Sequence, residues 1–137
     1  MTDRAYPIEF QGEYLGGHTR FQSQNNIVML LQSTEISIYT AHAFSQVVSL
    51  RQPFLIIPYD NIVGIQKTTS DKIDTLRVLA VGVVGGLLWR KKELFLSLSF
   101  MDDIGINQTL IFKMKDVDEA QWKIYDKVAQ TKKNKKV

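Results

Sequence analysis

The sequence predicts a small, mainly β domain of antiparallel strands followed by one C-terminal helix. Three observations carry this expectation. Short apolar or alternating runs succeed one another between turn residues along most of the chain. The two clearest, Glu93 to Met101 and Thr109 to Met114, flank the turn Asp102-Asp103-Ile104-Gly105 and read as a hairpin. After Asp116 the spacing of apolar residues changes from two to that of a helix.

In chain order, Glu13-Tyr14-Leu15 leads into Gly16-Gly17 and a polar stretch from His18 to Asn26. Ile27 to Leu31 is an apolar run of the length of a buried strand. In Glu35 to Thr40, Ile36 and Ile38 point one way and Ser37 and Tyr39 the other, a strand with one face on a core. Ala41 to Gln52 reads as a loop. Phe54 to Ile57 reads as a strand that Pro58, lacking an N–H, should close or hold at an edge. Ile62 to Thr68 resumes in β style. In the hairpin, Leu94, Leu96, Leu98 and Phe100 share one face, answered by Leu110, Phe112 and Met114. Asp116 with Glu119 makes a capping-box start, and Val117, Ala120, Ile124 and Val128 form one helical stripe that Trp122 and Tyr125 widen or flank. Six or seven strands have open edges, and curling into a barrel or sandwich protects them, with the helix plugging one end.

Composition narrows the chemistry. With no cysteine among 137 residues, disulfides, thiolate metal sites and cysteine nucleophiles are excluded together, and a reducing compartment is favoured. The N-terminus lacks the apolar core of a signal peptide, so a cytoplasmic location is expected. The pI near 9.1 comes from the end of the chain. Without Lys132, Lys133, Lys135 and Lys136, 13 basic residues face 14 acidic ones. Residues 1–130 therefore read as a single near-neutral domain and 131–137 as a fraying basic tail. No basic face able to span phosphates is visible, so nucleic acid is not an expected partner.

Motifs of catalysis are missing too. His18 and His42 are the only histidines, and their spacing to Asp60 or Glu35 gives no metal-site pattern. No Gly-x-Ser-x-Gly elbow occurs, and Gly85-Gly86 is followed by Leu87-Leu88 where a phosphate loop needs Lys and Ser or Thr. Asp102-Asp103 reads as a solvated pair in a turn. The expectation is a protein that is not an enzyme and uses no cofactor or metal.

Three segments resemble the bacterial and archaeal pleckstrin-homology-like domains, which are related in shape to GRAM domains. They are Tyr14-Leu15-Gly16-Gly17-His18; Ile57-Pro58-Tyr59-Asp60-Asn61-Ile62; and Thr75 to Leu79, followed by a Gly-containing apolar run ending in Arg90-Lys91-Lys92. The resemblance runs from about Tyr14 to Val128. It implies a partly open antiparallel barrel of about seven strands capped by one C-terminal α-helix, and binding of lipid or protein rather than catalysis. Phosphoinositide recognition in that family needs a loop rich in lysine and arginine between the first two strands. Here the matching stretch offers only His18 and Arg20.

Val78 to Trp89 is twelve residues without a charge, preceded by Arg77 and followed by Arg90, Lys91 and Lys92. As a helix it would span roughly 18 Å, too short for the roughly 30 Å hydrocarbon core. Burial against the barrel is one reading, because an exposed patch of that size invites aggregation. The other is an interfacial anchor, with Trp89 at headgroup level and the cations on lipid phosphates. The function expected is a non-catalytic binding module contacting a membrane surface or a protein partner through 78–89 and the flanking cations, cytoplasmic and peripheral at the inner membrane face. The alternative is a structural domain that self-assembles into a homo-oligomer through the same segment.

Overall fold

The structure, a computed structural model, describes residues 8–21, 24–69 and 94–135. Among these residues seven strands form one antiparallel sheet: β1 (Ile8–Gly16), β2 (Asn25–Leu31), β3 (Glu35–Thr40), β4 (Leu55–Pro58), β5 (Ile62–Thr68), β6 (Phe95–Met101) and β7 (Asn107–Met114). Their order is β4-β3-β2-β1-β7-β6-β5, so β1 sits at the centre and β4 and β5 form the edges. A four-residue helix α1 (Ala41–Phe44) follows β3, and the long helix α2 (Val117–Lys135) ends the described chain. The fold is the mainly β, open seven-stranded arrangement with a C-terminal helix that the strand pattern predicts.

The sheet cannot be flat. Its two edge strands are joined by one 3-10 turn of three residues, Tyr59–Asn61. Seven strands spaced at about 4.8 Å would hold those edges nearly 30 Å apart, so the sheet must curl until β4 and β5 approach. The curl wraps one core. Ile36, Ile38 and Ile57 from one half share a buried cluster with Leu96, Leu98, Phe100 and Phe112 from the other. Helix α2 lies against β5, the Tyr59–Asn61 turn, β6 and β7. It adds Ala120, Ile124 and Val128 to that cluster.

Local chemistry explains the elements. Pro58 ends β4 on the edge of the sheet, where its missing N–H costs no ladder bond. Alternation places Leu96, Leu98 and Phe100 inward, yet Phe95, Ile111, Leu15 and Val28 on the opposite face are buried as well. Simple alternation of one wet and one dry face therefore fails at the middle of the sheet. Strand β1 begins at Ile8, well before Glu13, because its first half pairs fully with β2 while leaving Glu9 and Gln11 exposed.

Two segments depart from the sequence reading. Ala41 to Gln52, expected as loop, contains α1, whose N-cap Thr40 accepts from the Ala43 N–H at 3.0 Å, and a 3-10 turn at Val48–Leu50. The final helix continues to Lys135, past the end expected at Gln130; the Thr131 hydroxyl donates to the Lys127 carbonyl at 2.9 Å, and the lysines beyond are good helix formers. At the other end the cap is as expected, with Asp116 accepting from the Glu119 N–H at 3.0 Å. Asp116→Ala should lower stability by about 1 kcal/mol, the usual cost of a lost N-cap. Urea denaturation followed by far-ultraviolet circular dichroism would measure it.

Candidate functional site

Strand pairing brings three connections to one rim of the sheet. Tyr14 faces Asn25, Thr40 faces Ile27, Gly16 faces Ile111 and Met101 faces Asn107. The β1–β2, β3–β4 and β6–β7 connections consequently emerge together. Between them, and reaching to β4 and Asn61, lies an open cleft of about 410 Å³. Its walls are mostly apolar, with Phe21, Phe54, Leu55 and Phe100 prominent, and its polar lining comes from His18, Arg20, Asn61, Asp102 and Asp103.

The β1–β2 wall begins at an irregularity in the β1–β7 ladder between Tyr14 and Gly16. Gly16 and Gly17 follow with φ of 122° and 119°, a backbone region that side chains disfavour, and they turn the chain across the barrel mouth. His18 then lies inside, only 2% exposed. Its ring sits 4.9 Å from that of Phe21 and 6.0 Å from that of Phe100. Its Nδ1 accepts the Arg20 N–H at 3.0 Å, and its own backbone N–H donates to the Tyr14 hydroxyl at 3.0 Å. The Tyr14 hydroxyl in turn donates to the Phe21 carbonyl. Burial lowers the His18 pKa below its ordinary 6.5, and Arg20 acts in the same direction against the opposing pull of Asp102 and Asp103. Burial pushes the Tyr14 hydroxyl up, partly offset by the bond from His18.

The β6–β7 wall is organised by Asp102. One of its oxygens accepts from the N–H groups of Ile104 and Ile106, at 3.1 and 2.8 Å, and the other from Gln108 Nε2 at 2.9 Å. The bond from Gln108 and that from the Ile106 N–H hold its carboxyl below the ordinary 3.8. The expectation that Asp102-Asp103 is merely a solvated pair is thus corrected for Asp102. The tip folds back through Gly105, at φ 85°, and points two N–H groups at the carboxylate. Asp103 does face solvent, 3.5 Å from the Arg20 guanidinium. Gln108, 2% exposed, also accepts the Thr19 N–H at 3.1 Å and donates to the Thr19 hydroxyl at 3.0 Å. One amide side chain therefore ties the two walls together.

The third connection, β3–β4, carries three exposed aliphatic side chains. Val47, Val48 and Leu50 are 64%, 74% and 63% exposed, and Ile104 at the tip of the β6–β7 hairpin is 68% exposed. Their loop is not loose. The Arg51 guanidinium lies 4.0 Å over the Phe44 ring and its Nε donates to the Gln46 carbonyl at 3.1 Å, while the Leu50 N–H reaches the Val47 carbonyl at 2.8 Å.

Of the residues singled out from sequence, His18 and Arg20 meet in this cleft. Arg77, Trp89, Arg90, Lys91 and Lys92, with the apolar segment 78–89, lie outside the described residues. Gln108, Tyr14 and the aliphatic trio were not foreseen. Two adjacent valines inside a polar loop were the one local signal for the trio. Among the described residues no three His, Asp or Glu side chains converge as a metal site, and no helix is long and apolar enough to cross a membrane. Compared with known proteins, the chain matches no family model and no curated sequence.

Proposed function

We propose that this chain is a non-catalytic, pleckstrin-homology-like binding module that contacts a membrane surface through the rim formed by its β1–β2, β3–β4 and β6–β7 connections. The supporting observation is the braced β3–β4 connection, which holds Val47, Val48 and Leu50 in solvent on the same rim that carries exposed Ile104 in the β6–β7 connection. Exposed aliphatic clusters of this kind are disfavoured unless something covers them. Each such side chain gains about 1.5–3 kcal/mol when fully removed from water. The polar groups of the cleft do not suggest catalysis, because Asp102 uses both oxygens on structural donors and His18 uses Nδ1 on the backbone.

The formal charges of the three connections balance, with Arg20 and Arg51 against Asp102 and Asp103. Apolar insertion should therefore dominate over attraction to anionic lipid. Arg77, Trp89 and Arg90 to Lys92 enter the proposal as a second, cationic contact read from sequence alone.

Co-sedimentation with vesicles tests the reading. The chain should pellet with neutral phosphatidylcholine vesicles as well as with anionic ones. Val48→Asp combined with Leu50→Asp should weaken pelleting by at least about tenfold, since charge at an interface forfeits the burial energy. A salt-sensitive share lost with Trp89→Ala and Lys91→Glu would belong to the second contact. Protein left in the supernatant with both vesicle types rules the membrane reading out. If light scattering then shows a dimer that the aspartate pair dissolves, the rim is a subunit interface.

A further inference from the structure

We infer that His18 is an acid-sensitive latch on the β1–β2 connection, holding the wall of the cleft closed while its imidazole is neutral and releasing it when the ring gains a proton. The inference concerns the free protein and holds whether or not the rim meets lipid.

The geometry assigns the tautomer. Nδ1 accepts the Arg20 N–H at 3.0 Å, so in the closed loop this nitrogen carries no proton and Nε2 does. Protonation makes both ring nitrogens donors. Two N–H groups would then point at one another across 3.0 Å, and the bond that closes the loop cannot survive. The new charge would also sit in a site only 2% exposed, near the Arg20 guanidinium.

Groups facing the ring from the other elements do not rescue the charged form. From the β6–β7 hairpin, Asp102 and Asp103 favour a cation, but Asp102 already spends its oxygens on Gln108 and two N–H groups, and Asp103 lies beside Arg20. Phe100 and Phe21 present apolar rings. From β4 and the chain on either side of it, the cleft residues Pro53, Phe54, Leu55, Ile56, Pro58 and Asn61 carry no charge. Burial and Arg20 outweigh the two carboxylates, so protonation comes below 6.5.

An imidazolium without partners reaches water by swinging outward, and residues 18–21 must move with it. Phe21 packs against both His18 and Phe54, with ring centroids at 4.9 and 5.5 Å, and the Tyr14 hydroxyl binds both the His18 N–H and the Phe21 carbonyl. These contacts form one unit, so the loop should open as a unit rather than fray.

Amide hydrogen exchange from roughly pH 7.5 down to about pH 4 reads the latch. After correction for intrinsic rates, the Arg20 and Phe21 amides should lose about tenfold or more of their protection on acidification, while Ile38 and Leu98 in the sheet keep theirs. His18→Asn places an amide oxygen where Nδ1 lay, so it accepts from Arg20 but cannot titrate; its loop should stay protected throughout. His18→Phe keeps a ring without an acceptor, and its loop should be open at every pH. Protection in the wild type that persists to the acid end overturns the inference, and so does an equal pH response in His18→Asn. Both readings use the wild type or the asparagine variant, so they stand even if His18→Phe fails to fold.

Discussion

Phe112→Ala should lower the free energy of unfolding by about 3–5 kcal/mol, the range for deleting a buried aromatic ring from a core. Phe112 is fully buried on β7, paired with Tyr14 of β1 on one side and Leu96 of β6 on the other. It thus joins the two halves of the curled sheet, where neighbours cannot collapse into the space without breaking a ladder. Domains of this size are stable by only about 5–15 kcal/mol, so the loss would consume a large share of the total. Urea denaturation with an unchanged slope would show it as a shift in midpoint. Phe112→Leu, which keeps most of the volume, should cost less than half as much.

The same substitution should reach the rim. The Tyr14 ring lies 5.6 Å from Phe112 and 6.0 Å from Phe54, and its hydroxyl carries the bonds that hold residues 18–21. With Phe112 gone the ring loses its backing, so the Arg20 and Phe21 amides should exchange faster even at neutral pH. A drop in global stability with no local change at those amides would show that the loop does not depend on the core in this way.

Much of the fold was legible because its signals are local. Ile36 and Ile38, the Pro58 stop, the Ile62 to Thr68 run and the stripe of Ala120, Ile124 and Val128 each follow from the spacing of a few residues, and the structure places all of them as read. Strand β1 was legible only in part. Only Glu13 to Leu15 reads as strand, and what extends it back through Gln11 and Gly12 to Ile8 is pairing with β2. The cleft was harder still. His18 and Arg20 stood out as the only basic groups in their connection. Nothing near Gln108 in sequence shows that it reaches Thr19, 89 positions away, because that contact exists only where β7 lies beside β1. Asp102 misled for a related reason: two adjacent acids in a turn look alike until the tip aims its N–H groups at one of them. Local chemistry predicts elements, and pairing of the first strand with the last makes the site.

Gln108→Ala should therefore loosen both walls of the cleft at once. The two bonds to Thr19 are worth about 1 kcal/mol each, so a loss on the order of 2 kcal/mol is expected at neutral pH from that side alone. The bond to Asp102 shows itself through pH. Its depressed pKa gives wild-type stability that is fully present above 3.8 and drains away as pH falls through the lower, folded-state value. Gln108 is the largest cause of that depression. In the variant the folded carboxyl returns toward 3.8, so less stability remains to be lost to acid. The gap between wild type and variant should narrow below about pH 3.8. Denaturant midpoints measured for both proteins between roughly pH 7 and pH 3 would reveal the convergence. A gap that stays constant across that range would mean that Gln108 braces the loops through Thr19 alone, and that Asp102 is held by its own hairpin.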